Sequence, residues 1–334
     1  FKQKTAYEIP KRDWSSDVCS SDLCVSDTLC GMKQIAAVAA VLALVGTGAA
    51  QDFTARALAI HRQSPLIDGH IDYPWALRDL DPGRDLDTAD IAKPVPKLMT
   101  DIPRLRQGGV GGQFWSVYTP STMTDKEATR VTLEQIDTVH RMTKRWGETF
   151  QMAYTADDVE RGFKNGKIAS LIGMEGGHSI NSSLGALRQM YRLGARYMTL
   201  THSLNVPWAD SATDTPALNG LSPFGEEVVH EMNRLGMLVD LSHTSPATMA
   251  HVLRITTAPV IFSHSSARAV TDVPRNVPDD ILRALPANGG LVMVTFVPQF
   301  VSQPVADYNK RESAERTRLQ AVAGSTPATV SRGL

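Results

Sequence analysis

Short apolar runs alternate with longer amphipathic stretches from Ser64 onward. The runs are rich in Val, Ile, Leu and Met and lack strict alternation, which is typical of strands buried on both faces of a parallel sheet. Repeated strand–helix units without a linker favour a single α/β domain. Seven strands are predicted, at residues 65–70, 110–118, 168–174, 196–201, 236–241, 258–263 and 290–296.

The stretches between the runs carry helix start and stop signals. The stretch 222–236 opens with a serine N-cap followed by proline and ends at a glycine, and Ser245-Pro246 opens another helix in the same way. Two acidic residues after Pro278 suit the first turn of a helix, where negative charge is favourable. Helices are therefore predicted over 124–146, 184–193 and 222–236, after Ser245, and from Pro278.

This alternation predicts a (β/α)8 TIM-like barrel, which needs eight strands. Seven strands are visible in the sequence, and residues 303–334 are polar and helix-like at first, without a further apolar run. We therefore expect residues 51–334 to form a C-terminally truncated barrel.

The first fifty residues differ from the rest of the chain. Residues 1–31 have no helical or alternating apolar period and resemble a translated sequencing adaptor, so we expect them to be non-native and disordered. Residues 32–50 combine a basic start, a short apolar run and small residues, as in a secretory signal peptide. We therefore expect a periplasmic or secreted protein. The apolar run 35–45 is too short to span a bilayer, which needs ~20 residues.

Composition narrows the choice of partners and of chemistry. The chain has 334 residues, a formal net charge of −1 and no block of like charges, which gives no reason to expect nucleic acid or an anionic membrane as a partner. All three cysteines precede Met32, so the predicted barrel has neither disulfides nor thiolate chemistry. A metal bound there would need histidine and carboxylate ligands.

Polar side chains of this kind follow five of the predicted strands. The carboxyl ends of barrel strands meet at one face, where active sites lie. Several imidazoles with few carboxylates suit zinc or a similar divalent transition metal. The residues at these strand ends are His70 and Asp72, Glu175, His202, His243 and His264.

The spacing of these residues predicts two metal sites. His70 and Asp72 are two residues apart on one strand, so their side chains face the same side and suit one ion. His243 and His264 leave adjacent strands and suit a second ion, and Glu175 lies between the pairs as a bridge. Two ions held in this way would activate one water molecule as a nucleophile.

A single histidine at a strand end is more often a hydrogen-bonded polar residue than a ligand, but five such strand ends favour a metal centre. His178 and His202 remain open as ligands or as residues that orient a ligand. The other histidines lie in helical or pre-strand segments, and we expect them at the surface; they are His61, His140, His230 and His251.

Several stretches of the chain resemble the membrane dipeptidase (renal dipeptidase) family of zinc peptidases. They include "IDGHIDYPW", "GMEGGHSI", "LTHSLNVPWADS", "VDLSH" and "VIFSHSSARAVTDVPRNVPDDIL", and the resemblance extends from about Leu58 to about Arg311. It implies a (β/α)8 TIM-like barrel of the metal-dependent hydrolase type, with a two-zinc centre that hydrolyses dipeptides. By motif, His70 and Asp72 match ligands of the first zinc, Glu175 the bridging carboxylate, and His243 and His264 ligands of the second.

The resemblance also implies roles in substrate binding. His202 matches a histidine that contacts the substrate and the developing oxyanion. Arg275 matches an arginine that binds the terminal carboxylate of the substrate, a task that suits a planar guanidinium. A loop salt bridge from Arg275 to Asp279 or Asp280 is the alternative.

The chain also departs from the family pattern. Ile71 replaces the asparagine between the first two ligands, and Val297 stands where some relatives carry an aromatic residue. The family's "GSDFDG"-type strand, whose acidic residue donates and accepts the catalytic proton, is not found after Phe296, and Asp307 is no substitute. We therefore expect the full-length protein to be a dipeptidase and this chain to be inactive or weak.

Other functions remain open at the level of sequence. A metal-dependent amidohydrolase that acts on cyclic amides is one, but such enzymes usually have a bridging lysine where this chain has Glu175. A non-catalytic zinc-binding protein is another. The sequence is compatible with a homodimer and does not name the preferred dipeptide.

Overall fold

A computed structural model of the chain describes residues 53–80, residue 86 and residues 90–323. The predicted adaptor-like extension (1–31) and signal peptide (32–50) lie outside the described residues. Among the helices that the structure describes, none combines the length and apolar character needed to cross a membrane.

Eight parallel strands form one sheet in the described part of the chain. Its hydrogen-bonded order is β1-β2-β4-β5-β6-β7-β8, and β3 pairs beside β4, off this path. The strands are β1 (Leu66–Ile71), β2 (Val110–Tyr118), β3 (Phe150–Met152), β4 (Ile168–Glu175), β5 (Ala195–Thr199), β6 (Leu238–Asp240), β7 (Ile261–Ser265) and β8 (Leu291–Val294).

Helices follow the strands and cover the outside of the sheet. They are α1 (Thr54–Gln63), α2 (Tyr73–Leu80), α3 (Ile102–Gln107), α4 (Asp125–Arg145), α5 (Ala156–Lys164), α6 (Leu184–Arg192), α7 (Pro223–Leu235), α8 (Pro246–Ile255), α9 (Asp279–Asn288), α10 (Pro298–Val301) and α11 (Gln303–Ala323). A 3-10 turn at Gly177–Ile180 follows β4.

The seven predicted strands form a nearly closed parallel α/β barrel, which confirms the predicted fold class. The sequence did not predict β3, because three residues are too short to give an apolar period. This strand pairs with the first residues of β4, from Ile168 to Ser170.

The hydrogen-bonded path ends at β1 on one side and at β8 on the other. Gly69 on β1 lies so close to its neighbours that a Cβ there would be 2.2 Å from Met293 Sδ and 2.3 Å from the Ser263 carbonyl oxygen. The close packing of β1 against β7 and β8 therefore requires glycine at this position.

The core is formed by side chains of the strands and of the inner helix faces, including the fully buried Trp115 and Phe262. Strand β8 is different, because Val294 is 59% exposed and Phe296, just beyond it, is 87% exposed. The prediction that every strand is buried on both faces is therefore wrong for β8, and also for β1, where Leu66 is 39% exposed. Both strands end the hydrogen-bonded order of the sheet in the described residues.

The predicted helix caps are present. The Ser222 hydroxyl accepts a hydrogen bond from the Gly225 backbone N–H at the start of α7, and Gly236 ends that helix with φ 75°. Such a positive φ favours glycine. Pro278 is the N-cap of α9 and not a residue of its first turn, because its extended backbone (ψ 155°) lies outside the helical region.

Candidate metal centre

Three imidazoles surround the carboxylate of Glu175, the last residue of β4. The Glu175 side chain is 4% exposed, and its Oε1 lies 3.0 Å from His243 Nε2 and 3.2 Å from His264 Nε2. Its Oε2 lies 3.3 Å from His70 Nε2. These residues come from β1, β4, β7 and the turn after β6, so the carboxyl ends of the strands build the site.

Asp72 and His202 lie at the edge of this cluster. Asp72 Oδ1 is 3.1 Å from His70 Nε2, and the Asp72 side chain is 53% exposed. His202 Nε2 is 3.8 Å from Glu175 Oε1. The structure thus brings all six strand-end residues of the sequence prediction to one pocket.

The described residues contain two groups of three potential metal ligands. Within each group, the ligand atoms all lie within 4.8 Å of one another. One group contains His70, Glu175 and His264, and the other contains Glu175, His202 and His243. The sequence paired His243 with His264 because their strands are adjacent, but the two histidines fall into different groups. Their Nε2 atoms are nevertheless only 3.0 Å apart.

The backbone around His243 is unusual. His243 has φ 66°, in the left-handed region that non-glycine residues rarely adopt. The carbonyl oxygen of His243 accepts hydrogen bonds from Thr201 Oγ1 and Ser211 Oγ, which fix this conformation. Strain of this kind persists where surrounding contacts hold a functional side chain in place.

The electrostatics of the pocket suit metal ligands. Burial lowers the pKa of His243 and of His264 to about 3, so both imidazoles are neutral at neutral pH. Burial would raise the pKa of Glu175, but the charge of His70 and the close contacts with the His243 and His264 imidazoles hold it well below its usual range. Neutral imidazole and ionised carboxylate are the forms that bind metals. His70 is the exception: burial acts to lower its pKa, but Tyr197, Glu175 and Asp72 raise it well above the ordinary value, so His70 must release a proton when a metal binds.

The donor set fits a divalent cation such as zinc. The Nε2 atoms of His243 and His264 are 3.0 Å apart. If both imidazoles are neutral, two lone pairs can face each other at this distance only when a proton or a cation lies between them. Imidazole nitrogens together with a shared carboxylate are typical zinc ligands. The residues present therefore fit the metal that the sequence predicts.

Arg275 lies in the same pocket. Its Nη2 donates to the His264 carbonyl oxygen at 3.2 Å, and its guanidinium carbon lies 5.4 Å from the centre of the Phe300 ring. Its Nη1 is buried and has no hydrogen-bond partner in the described residues. Burial lowers the pKa of Arg275 to about 10, so the side chain stays cationic at neutral pH. An anionic group in the pocket would pair with Nη1.

The alternative salt bridge of Arg275 is not what the structure shows. Asp279 pairs with Arg283, one turn along α9, and Arg275 points into the cavity instead. This cavity of about 760 Å³ is lined by the metal-centre residues and by aromatic and apolar side chains, among them Tyr118 and Phe300.

The sequence analysis missed residues that contact the predicted ligands from behind. The Tyr197 hydroxyl lies 2.9 Å from His70 Nδ1, and the Tyr118 ring centre lies 5.0 Å from that of His202. Both tyrosines lie on predicted strands, and Tyr197 lies on one that is followed by a histidine, which was the available signal for it.

The remaining histidines lie outside the cluster. His178 is buried and its Nε2 contacts Thr119 Oγ1 at 2.9 Å. His230 is exposed, as expected, and His61 is half-buried. The prediction of an exposed position is therefore wrong for His61, and also for His140 and His251, which are half-buried and bond the Leu193 carbonyl oxygen and Glu226 Oε1.

The model of the membrane dipeptidase family (peptidase family M19) matches residues 54–332 of this chain. The chain belongs to the membrane dipeptidase family. Dipeptidase verJ of Clonostachys rogersoniana is 47% identical over 257 residues, which cover 74% of this chain and 66% of that protein. Dipeptidase 3 of Mus musculus is 47% identical over 245 residues, which cover 72% of this chain and 48% of that protein. The chain thus spans between about half and two thirds of the length of these curated relatives.

Solved structures share the fold. A metallopeptidase from Rhodobacter sphaeroides, liganded with a phosphinate mimic of the dipeptide L-Ala-D-Ala, aligns with a TM-score of 0.64 and 25% identity, covering 72% of this chain and 76% of its own. The metallopeptidase dipeptidase AC aligns with a TM-score of 0.64 and 27% identity, covering 72% of this chain and 74% of its own. Homologues of this chain are therefore metallodipeptidases.

Proposed function

We propose that this protein is a zinc-dependent dipeptidase whose centre holds two zinc ions. The observation that supports this most directly is the Glu175 carboxylate, which lies within 3.3 Å of three imidazole nitrogens, from β1, β7 and the turn after β6. A carboxylate with histidine nitrogens close to each of its two oxygens is suited to bridge two cations.

We assign His70 and Asp72 to the first ion and Glu175 to both. We assign His243 and His264 to the second ion, because their Nε2 atoms are only 3.0 Å apart and can reach the same cation. The ligand atoms of His202, Glu175 and His243 lie within 4.8 Å of one another, so His202 can contact a substrate bound beside the ions. When bound, the two ions supply Lewis-acid activation of a water molecule and of the peptide carbonyl.

Two further side chains act on the substrate. Arg275 binds the free carboxylate of the dipeptide through its unpaired Nη1, and this limits the enzyme to very short peptides. Burial lowers the pKa of His202, so it is neutral and donates a hydrogen bond from an N–H to the oxyanion that develops on the carbonyl.

The chain as given should be a weak catalyst. Among the described residues, the carboxyl groups that line the pocket are those of Asp72 and Glu175, and both are assigned to metal binding. Neither is then free to protonate the leaving amine, a step to which a positioned acid typically contributes ~10²–10⁴-fold.

The test is to strip the protein with a chelator, titrate zinc back and follow hydrolysis of L-Ala-D-Ala. We expect two zinc ions per chain and slow hydrolysis that depends on zinc. Glu175→Gln should lower both zinc content and turnover, because an amide is a poor bridging ligand, whereas the exposed control His230→Asn should change neither. Turnover that persists without metal, or a failure to bind zinc, would contradict the proposal.

A further inference from the structure

Ser263 connects a buried carboxylate to one of the proposed metal ligands. Its Oγ lies 2.6 Å from Asp240 Oδ2 and 2.8 Å from His264 Nδ1. Asp240 is fully buried at the end of β6. Its Oδ1 accepts the backbone N–H groups of Ser242 and Ser263, at 3.0 and 2.9 Å, and its Oδ2 also accepts the Thr199 hydroxyl at 2.5 Å.

This arrangement determines which nitrogen of His264 carries hydrogen. The Ser263 hydroxyl donates to Asp240 Oδ2 and therefore turns a lone pair towards His264. Nδ1 of His264 must then carry the hydrogen. Nε2 is left with its lone pair directed at the metal centre, 3.2 Å from Glu175 Oε1.

Tyr197 holds His70 in the same way. The Tyr197 hydroxyl lies 3.1 Å from the Gly69 carbonyl oxygen, which can only accept, and 2.9 Å from His70 Nδ1. The hydroxyl therefore donates to Gly69 and accepts from Nδ1–H, so that Nε2 of His70 faces Glu175. Gly173 provides the space for this ring, because a Cβ there would be 2.0 Å from Tyr197 Cζ.

We propose that Ser263, anchored by Asp240, and Tyr197 are positioning residues that fix the tautomer and orientation of His264 and His70 for metal binding. The inference rests on the proposed function and extends it to side chains that touch neither metal nor substrate. The hydroxyls of Ser263 and Tyr197 contact the Nδ1 atoms of His264 and His70, whereas the Nε2 atoms of both rings face Glu175. Partners of this kind typically change metal affinity by ~10–100-fold.

The experiment measures zinc affinity by competition with a chromophoric chelator for the parent protein and three serine variants. Ser263→Ala should weaken zinc binding by ~10–100-fold, and Ser263→Thr, which keeps a hydroxyl, should restore most of it. Ser265→Ala is the matched control. Ser265 is a buried serine on the same strand whose hydroxyl lies 3.4 Å from Ser242 Oγ, and the variant should bind zinc like the parent.

Tyr197→Phe provides an independent second variant, because it keeps the buried ring that packs against Phe114 and removes only the hydroxyl. We expect it to weaken zinc binding by a similar factor. A purely structural role would lower the unfolding midpoint of the zinc-free protein and leave zinc affinity unchanged.

The outcomes separate the two proposals. If the parent binds zinc and both Ser263→Ala and Tyr197→Phe bind it equally well, the positioning role is wrong and the metal centre stands. If the parent binds no zinc, the proposed function itself fails. If Ser263→Ala does not fold, the zinc affinity of Tyr197→Phe still tests the positioning role, and an affinity equal to that of the parent would contradict it.

Discussion

At the scale of single residues, the site is built around the two carboxylate oxygens of Glu175. Glu175 is nearly fully buried, and its two oxygens contact nitrogens from three histidines. A buried carboxylate is stable only if it is paired or hydrogen-bonded. The ring centres of His70 and His264 are 3.8 Å apart, which leaves no room for a larger side chain between them. Substitution of any one of these residues would therefore disturb the others.

Arg275 gives the first prediction at this scale. Arg275→Ala should weaken binding of a phosphinate dipeptide mimic by ~10–100-fold, because a hydrogen bond to a charged group contributes about 1.5–3 kcal/mol. Isothermal titration calorimetry with and without a free carboxylate on the mimic measures this. An amidated mimic should bind the parent and the variant alike.

The control for Arg275 is Arg283→Ala. Arg283 is exposed on α9 and pairs with Asp279, so its loss should not change binding of the mimic. Equal losses for the free and amidated mimics would show that Arg275 does not bind the carboxylate.

At the scale of the elements, local sequence was a good guide because the signals are local hydrogen bonds and apolar periods. The strand prediction at 110–118 matches Val110–Tyr118, and the helix prediction at 184–193 ends one residue beyond Leu184–Arg192. The structure adds helices that the sequence analysis did not predict, such as α5, which a capping box at Thr155 and Asp158 opens. That motif is visible in the sequence and was overlooked.

The N-cap of α7 gives a prediction at this scale. Ser222→Ala removes the side-chain acceptor of the Gly225 N–H and should lower the free energy of unfolding by about 1 kcal/mol. Urea denaturation of the zinc-free protein measures the change. Ser222→Asp keeps an acceptor and should stay within a few tenths of a kcal/mol of the parent. A loss with aspartate as large as that with alanine would show that the cap does not stabilise the helix.

At the scale of the whole molecule, the barrel combines a well-packed centre with open strand edges. Leu66 on β1 is 39% exposed and Leu291 on β8 is 49% exposed, and these strands end the hydrogen-bonded order in the described residues. Exposed apolar edge strands favour association with other strands. The edges of β1 and β8 are therefore where we expect association with other strands.

The stability of the zinc-free protein should depend on pH with a definite sign. The folded-state pKa values of His243 and His264 are about 3, so below the ordinary histidine pKa of ~6.5 the unfolded chain binds protons that the folded chain does not. Stability should therefore fall as pH drops from ~6.5 towards 3. For His70 burial acts to lower the pKa, but Tyr197, Glu175 and Asp72 raise it well above the ordinary value. Its contribution is present below ~6.5 and is lost as pH rises through the folded pKa.

These opposite limbs predict a maximum of stability near pH ~6.5, measured by urea denaturation in chelator from pH 5 to pH 8. His264→Asn should flatten the acid limb, and the exposed control His230→Asn should leave the profile unchanged. A stability that rises steadily on acidification would contradict the assignment of neutral, buried imidazoles.

The sequence by itself determined the strand–helix alternation, the main caps and the residue types gathered at the strand ends. It could do so because apolar periods and capping hydrogen bonds act between near neighbours. Only the tertiary structure decided that the rings of His70 and His264 lie 3.8 Å apart, that Tyr197 reaches His70 across 127 residues of chain, and that β8 is exposed. Such contacts depend on how distant strands meet in space, and no local pattern records that geometry.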